Sequence, residues 1–189
     1  MTSAQCDQLV ELTNLVERWN ERFNLSGHRT AAELMARLVL DALALSQQLP
    51  ASVSSLVDLG SGAGFPGLPL AIARPGMRTL LVDSRERRHH FQRAAIRTLD
   101  AGNVRALRGR IEQLDPQPAQ IVVAQAVSPP RAVLQAMVAW AQPGGLVVIP
   151  GSEQPPDPGP HPELIEIGVR RYPTPLGGPL RSLWIGKRG

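Results

Sequence analysis

Asp58-Leu59-Gly60-Ser61-Gly62-Ala63-Gly64-Phe65-Pro66-Gly67 is the stretch that most narrows what this chain can fold into. The run Val53 to Val57 before it has the character of a buried strand, and Leu68-Pro69-Leu70-Ala71-Ile72-Ala73 after it reads as a helix start. A strand, a glycine-rich turn and a helix form the opening unit of a nucleotide-binding α/β domain. Glycine lets the backbone turn sharply and lets a ligand approach with no Cβ between. Charge narrows the ligand. Asp58 stands ahead of the first glycine, where a carboxylate repels a pyrophosphate and attracts an ammonium group. S-adenosylmethionine carries both an ammonium and a sulfonium. A second acid, Asp83, closes the run Thr79-Leu80-Leu81-Val82, where a carboxylate can accept from both ribose hydroxyls.

The rest of the chain alternates in the same way. Strands are expected at Ser55–Leu59, Thr79–Asp83, Val104–Leu107, Ile121–Ala126 and Leu146–Ile149, with helices at Leu68–Arg74, Arg87–Leu99, Ile111–Leu114 and Arg131–Ala141. That order predicts a mostly parallel sheet covered by helices. Gly151 to Pro162, dense in proline and glycine, is expected to be an exposed loop. Leu164–Tyr172 and Leu183–Lys187 should finish the sheet, the last strand inserted antiparallel. Ahead of the alternation, Leu9, Leu12, Leu15, Val16, Trp19 and Phe23 recur at helical spacing. Thr30-Ala31-Ala32-Glu33 is a capping box for a second helix running to about Gln47. Residues 1–50 are therefore a helical prefix packed on a main domain of residues 51–189, the whole forming one compact unit.

Composition excludes some classes. Cys6 is the single cysteine, so no internal disulfide and no cysteine-based zinc site can form, as expected in a reducing cytoplasm. His89 and His90 are adjacent and point in different helical directions, so no metal site is expected there. No run reaches the length of a membrane span, and no membrane partner is expected. The net charge of +4, carried almost wholly by arginine, is compatible with a nucleic-acid partner. Arg85, Arg87, Arg88, Arg93 and Arg97 make the start of one helix basic; a solvated face or a phosphate contact both fit. Trp19 and Phe23 read as core rather than as a platform for bases.

Longer motifs carry a family resemblance. Val57 to Ala71 is very close to the "VDLGSGAGFPGLPLA" of the bacterial ribosomal small-subunit methyltransferase G family. Trp19-Asn20 with Phe23-Asn24-Leu25-Ser26 resembles its "W-N … Y-N-L-T", and Arg37, Leu40-Asp41 and Leu43 resemble "R-H-x-L-D-S-L". Asp83-Ser84, Arg87-Arg88 and Phe91 are similar to "D-S-x-x-K-R-x-x-F". Asn103-Val104, Gly109-Arg110 and Glu112 are similar to "N-V … G-R-x-E", and Gln142 to Gly145 to "K-P-G-G". Three positions depart from the pattern: Leu38 stands for a histidine, Gln125 for an arginine, and Pro150 for a lysine.

The resemblance implies a seven-stranded, Rossmann-like class I methyltransferase fold using S-adenosylmethionine. Its substrate would be a guanine of 16S ribosomal RNA, free or in the small ribosomal subunit, and its product 7-methylguanosine. A monomer is expected. Asp58, Gly60, Ser61, Gly62, Gly64 and Phe65 are expected at the methionine end, Asp83 and Ser84 at the ribose, and Ile111 and Glu112 beside the adenine. Asp58 and Asp83 can alternatively cap the helices that come after them. Arg110, Gln125 and Ser128 are candidates for holding the base, and Asn24, Arg29, Arg37, Gln125 and Arg181 for contacting RNA. A module that binds the cofactor and RNA or protein without turnover, and a methyltransferase with another substrate, remain open at this point.

Overall fold

In the computed structural model, residues 1–125 and 130–189 are described. The strands are β1 (Ser55–Leu59), β2 (Arg78–Asp83), β3 (Val104–Arg108), β4 (Ala119–Val123), β5 (Ala141–Gly151), β6 (Leu164–Pro173) and β7 (Leu180–Arg188). They form one sheet in the order β3-β2-β1-β4-β5-β7-β6. The first five run parallel, and β7 lies antiparallel between β5 and β6. The antiparallel insertion of the last strand is as expected from the sequence. This is the class I methyltransferase architecture.

The helices are α1 (Ser3–Asn20), α2 (Ala31–Leu34), α3 (Leu40–Gln48), α4 (Gly67–Ala73), α5 (Glu86–Thr98) and α6 (Pro130–Trp140). Thr30 caps α2 in the expected capping box with Glu33. The second helix is not continuous, however. A π-helical turn, Met35–Val39, separates α2 from α3 and carries Arg37. Such a turn inserts a residue and rotates α3 relative to α2, and local periodicity gives no sign of it. β4 ends at Val123, before Ala124 and Gln125; Ala126, its expected end, lies outside the described residues.

The prefix is not peripheral. Leu9, Leu12, Leu15 and Val16 of α1 share a buried cluster with Leu68 and Ala71 of α4, Leu81 of β2, and Phe91 and Ala95 of α5. Trp19 meets Phe91 edge-on at 5.4 Å, which settles its role as core. On the opposite face, Val133, Leu134, Met137 and Val138 of α6 cover Val122, Val147 and Trp184. A third cluster joins Ala44 and Leu45 of α3 to Leu56, Val148 and Leu183. The ends of the parallel strands and the prefix therefore share one rim.

Candidate cofactor and acceptor sites

The glycine-rich turn between β1 and α4 is built from the backbone outward. Gly60, Gly62 and Gly64 have φ of 75°, 57° and 85°, values that side chains with a Cβ rarely adopt. Gly60 N and Ser61 N both donate to Val82 O, at 2.8 and 3.1 Å, which ties the turn to β2. Ser61 is buried; its Oγ accepts from Gln92 Nε2 at 2.9 Å. It braces the turn against β2 and α5. Phe65 is half-buried against the α1–α5 core.

The two acids do different work. Asp58 is fully buried, and its Oδ2 accepts from Gly67 N at 2.9 Å, at the entry to α4. Its Oδ1 is buried with no hydrogen-bond partner among the described residues. The capping role is thus real, and it uses one oxygen only; Asp58 itself lies beneath the turn and lines neither cavity described below. Burial pushes the Asp58 carboxyl well above its ordinary value; the Gly67 hydrogen bond opposes this and the Asp83 charge adds to it. Asp83 is also buried. Its Oδ2 accepts from Gly62 N at 2.9 Å and pairs with Arg88 Nη1 at 3.3 Å, and its Oδ1 accepts from Arg85 N at 2.8 Å. Each carboxylate oxygen has further lone-pair capacity.

Gly60, Asp83, Ser84, Arg110, Ile111 and Glu112 line one cavity of about 410 Å³. The last three come from the turn after β3, so the ends of β1, β2 and β3 converge there. Arg110 is thereby placed on this side, apart from Gln125.

A larger cavity, about 780 Å³, opens beside the ends of β4 and β5. Arg37, Leu38 and Asp41 reach it from the prefix, Gln125 from the end of β4, Pro150 from β5 and Arg181 from β7. Three of the five RNA-contact candidates therefore meet in one place. Asn24 does not; it lines a separate cleft of about 620 Å³ with Arg85, Arg87 and Arg88. Arg87 lies over the Phe23 ring, 5.6 Å from its centroid, in that cleft's wall. Arg29 is exposed and its backbone N–H donates to Glu33 at 2.8 Å. Ser128 lies outside the described residues. Asp41, not among the expected site residues, is 8% exposed and pairs with Arg181 across 140 positions of sequence. Tyr172 lies on the same wall, its phenol pushed up to about 12 by burial and by the Asp41 carboxylate, with Arg181 opposing.

The model of the rRNA small subunit methyltransferase G (GidB) family matches residues 5–157, most of the chain. The chain belongs to this family. Among relatives of the same name, the protein of Pasteurella multocida is 37% identical over 143 residues, covering 75% of this chain and 65% of that one. That of Stenotrophomonas maltophilia is 40% identical over 115 residues, covering 61% of this chain and 53% of that one. The match thus spans about two thirds or less of these relatives. Similar solved structures include a SAM-dependent methyltransferase from Aquifex aeolicus (TM-score 0.60, 18% identity, covering 83% of this chain and 93% of that one). An O-methyltransferase from Bacillus cereus in complex with SAH is another (TM-score 0.63, 14% identity, 95% and 90%). Identities this low show the shared fold. Leu38, Gln125 and Pro150, the departures from the rRNA small subunit methyltransferase G pattern, all line the larger cavity. Arg181, on the same wall, lies beyond the region that the family's model matches.

Proposed function

We propose that the protein is an S-adenosylmethionine-dependent methyltransferase that forms 7-methylguanosine in 16S ribosomal RNA. The observation that carries this reading is the pair of cavities along one rim of the sheet. One is walled by Gly60 of the glycine turn and the ribose-side acid, the other by cationic and polar side chains from five separate segments.

The residues fit the cofactor. Asp58 Oδ1, buried and without a donor among the described residues, suits an ammonium group, and Asp83 suits the ribose. When bound, S-adenosylmethionine supplies a methyl group on a positively charged sulfur. Guanine N7 brings its own lone pair, so no side chain has to remove a proton before transfer. The protein's work is then alignment and a field that tolerates positive charge moving to the purine. Gln125 and Arg37 are suited to hold the acceptor nucleotide, and Ile111 and Glu112 to flank adenine. We place the protein in the cytoplasm, acting as a monomer on the small subunit or its RNA.

Primer extension after borohydride–aniline cleavage of 16S RNA, from a deletion strain and its parent, tests this. Cleavage at one guanine in the parent and none in the deletion is expected; identical cleavage patterns would overturn it. A second reading is a module that binds cofactor and RNA without turnover. It is favoured by the clustering of Leu38, Gln125 and Pro150 on one cavity wall. Restoration of cleavage by the purified protein with S-adenosylmethionine, acting on particles from the deletion strain, decides against it.

A further inference from the structure

We propose that Asp41, held in place by Arg181, reads the Watson–Crick edge of the acceptor guanine. The inference rests on the purine-acceptor reading above; Asp41 lies outside the expected site, and Arg181, expected to contact RNA, is given a positioning role instead.

Asp41 sits in the first turn of α3 and Arg181 near the start of β7, and both line the 780 Å³ cavity. Arg181 Nη2 donates to Asp41 Oδ2. Among the described residues, that bond leaves two buried polar atoms with no partner, Asp41 Oδ1 and Arg181 Nε. An ion pair between a buried carboxylate and a partly buried guanidinium, kept only to hold the fold together, is a poor bargain, since an apolar pair of the same volume does as well or better. Leaving one acceptor and one donor of that pair unsatisfied raises the cost further. The arrangement makes sense if a third group enters from the cavity and completes both.

That group must offer N–H donors to a carboxylate and an acceptor to a guanidinium N–H. Guanine presents N1–H and the 2-amino group side by side, with O6 next to them. Adenine presents an acceptor at N1, and uracil flanks its single N–H with two carbonyls. A carboxylate facing either base would meet an oxygen or nitrogen lone pair, and the unpaired charge would be costly. The pair therefore selects guanine by its donors, while N7 on the opposite side of the ring stays free to react. Asp41 belongs to the prefix and Arg181 to the last strand, so this reader exists only once both have docked on the sheet. Its charge is balanced internally, which leaves Arg37, exposed on the π-helical turn, as the cation facing the RNA backbone from this wall.

The test uses full-length protein and small-subunit particles reconstituted with ligated 16S RNA. The mapped acceptor position carries guanine, inosine (no 2-amino donor) or 2-aminopurine (no N1–H donor). Wild type should lose about tenfold or more in kcat/KM on at least one analogue. Asp41→Asn should be slower on guanine and should discriminate among the three bases by less than about threefold, with a cooperative unfolding transition and unchanged affinity for S-adenosylhomocysteine. A purely structural role would instead lower all three rates alike and keep the discrimination. Equal methylation of all three bases by wild type would overturn the proposal, as would an Asp41→Asn variant with wild-type discrimination. Asp41→Asn/Arg181→Gln, a neutral pair of similar shape, serves if the single variant does not fold. Failure of wild type to methylate guanine at all, while it binds S-adenosylhomocysteine, would instead overturn the function from which this inference starts.

Discussion

At the scale of single residues, Asp58 and Asp83 make different predictions because their oxygens are differently committed. Burial raises the Asp58 carboxyl above its ordinary 3.8. An acid raised in this way keeps its proton in the folded chain after the unfolded chain has lost it. Its contribution to stability therefore declines as pH rises from the unfolded value toward the folded one. A cation arriving beside Oδ1 reverses the shift and expels the proton. S-adenosylhomocysteine, which retains the ammonium group, should bind with proton release below the folded pKa of Asp58 and should bind more tightly as pH rises toward it. Asp58→Asn should abolish the release. Calorimetry in buffers of different ionisation heat measures this directly, and binding without proton release in the wild type would remove Asp58 from the methionine end. Asp83→Ala should weaken S-adenosylhomocysteine binding by about 1–3 kcal/mol through loss of charge-assisted hydrogen bonds. An unchanged affinity would exclude the ribose role.

The element that decides the cofactor side is the turn from β1 into α4, and its tolerance is narrow. A Cβ on Gly67 would stand 2.4 Å from Leu81 Cδ2 and 2.8 Å from Asp58 Oδ2. Both neighbours are buried, one in the core and one in the cap that orients α4. Gly67→Ala should therefore cost about 1–3 kcal/mol in stability from overpacking and should also weaken S-adenosylhomocysteine binding by displacing Asp58. Chemical denaturation and calorimetry on one preparation test both; a stable variant with normal affinity would show that α4 can shift freely. Gly64 is constrained twice over, by its φ of 85° and by Leu68 Cδ1 at 2.4 Å from a built Cβ. Such closeness lies between residues near one another in the chain, Gly64 with Leu68 and Gly67 with Leu81 of the next strand, which is why the motif alone announced the element. The π-helical turn at Met35–Val39 had no such signal, because what holds it is the packing of Leu34, Val39 and Leu45 on other elements.

For the whole molecule, the prefix and the sheet share a core, so they should unfold together. Leu12, with no exposed surface, sits between α1 and the main domain; Leu12→Ala should cost about 2–5 kcal/mol and leave a single transition. Two separate transitions by circular dichroism would show that the prefix folds alone. The acceptor side predicts a response of opposite sign. Gln125 lines the larger cavity and not the cofactor-side one. A neutral amide cannot make the charge-assisted contact that a guanidinium makes. Gln125→Arg should strengthen RNA binding or methylation, and steepen the salt dependence of binding, without altering S-adenosylhomocysteine affinity. Filter binding across a salt series and calorimetry separate the two; loss of cofactor binding would put residue 125 on the wrong side.

Local sequence determined what short-range physics can enforce. Alternating strand and helix patterns, the glycine turn, the acids closing β1 and β2 and the Thr30 cap depend on neighbours a few residues away, and they stand where the sequence puts them. The cofactor side is built from such pieces, since β1, β2 and β3 are adjacent in the sheet and each contributes the turn at its own end. The acceptor side is not. Asp41 and Arg181 carry no local sign that they will meet, and the pattern that makes Arg181 part of a terminal strand says nothing of a helix in the prefix. Only the docking of α3 against the sheet, and the insertion of β7 between β5 and β6, brings a carboxylate and a guanidinium together at one cavity wall. The same docking sends Asn24 to a different cleft, because the turn after α1 faces α5 rather than the ends of β4 and β5.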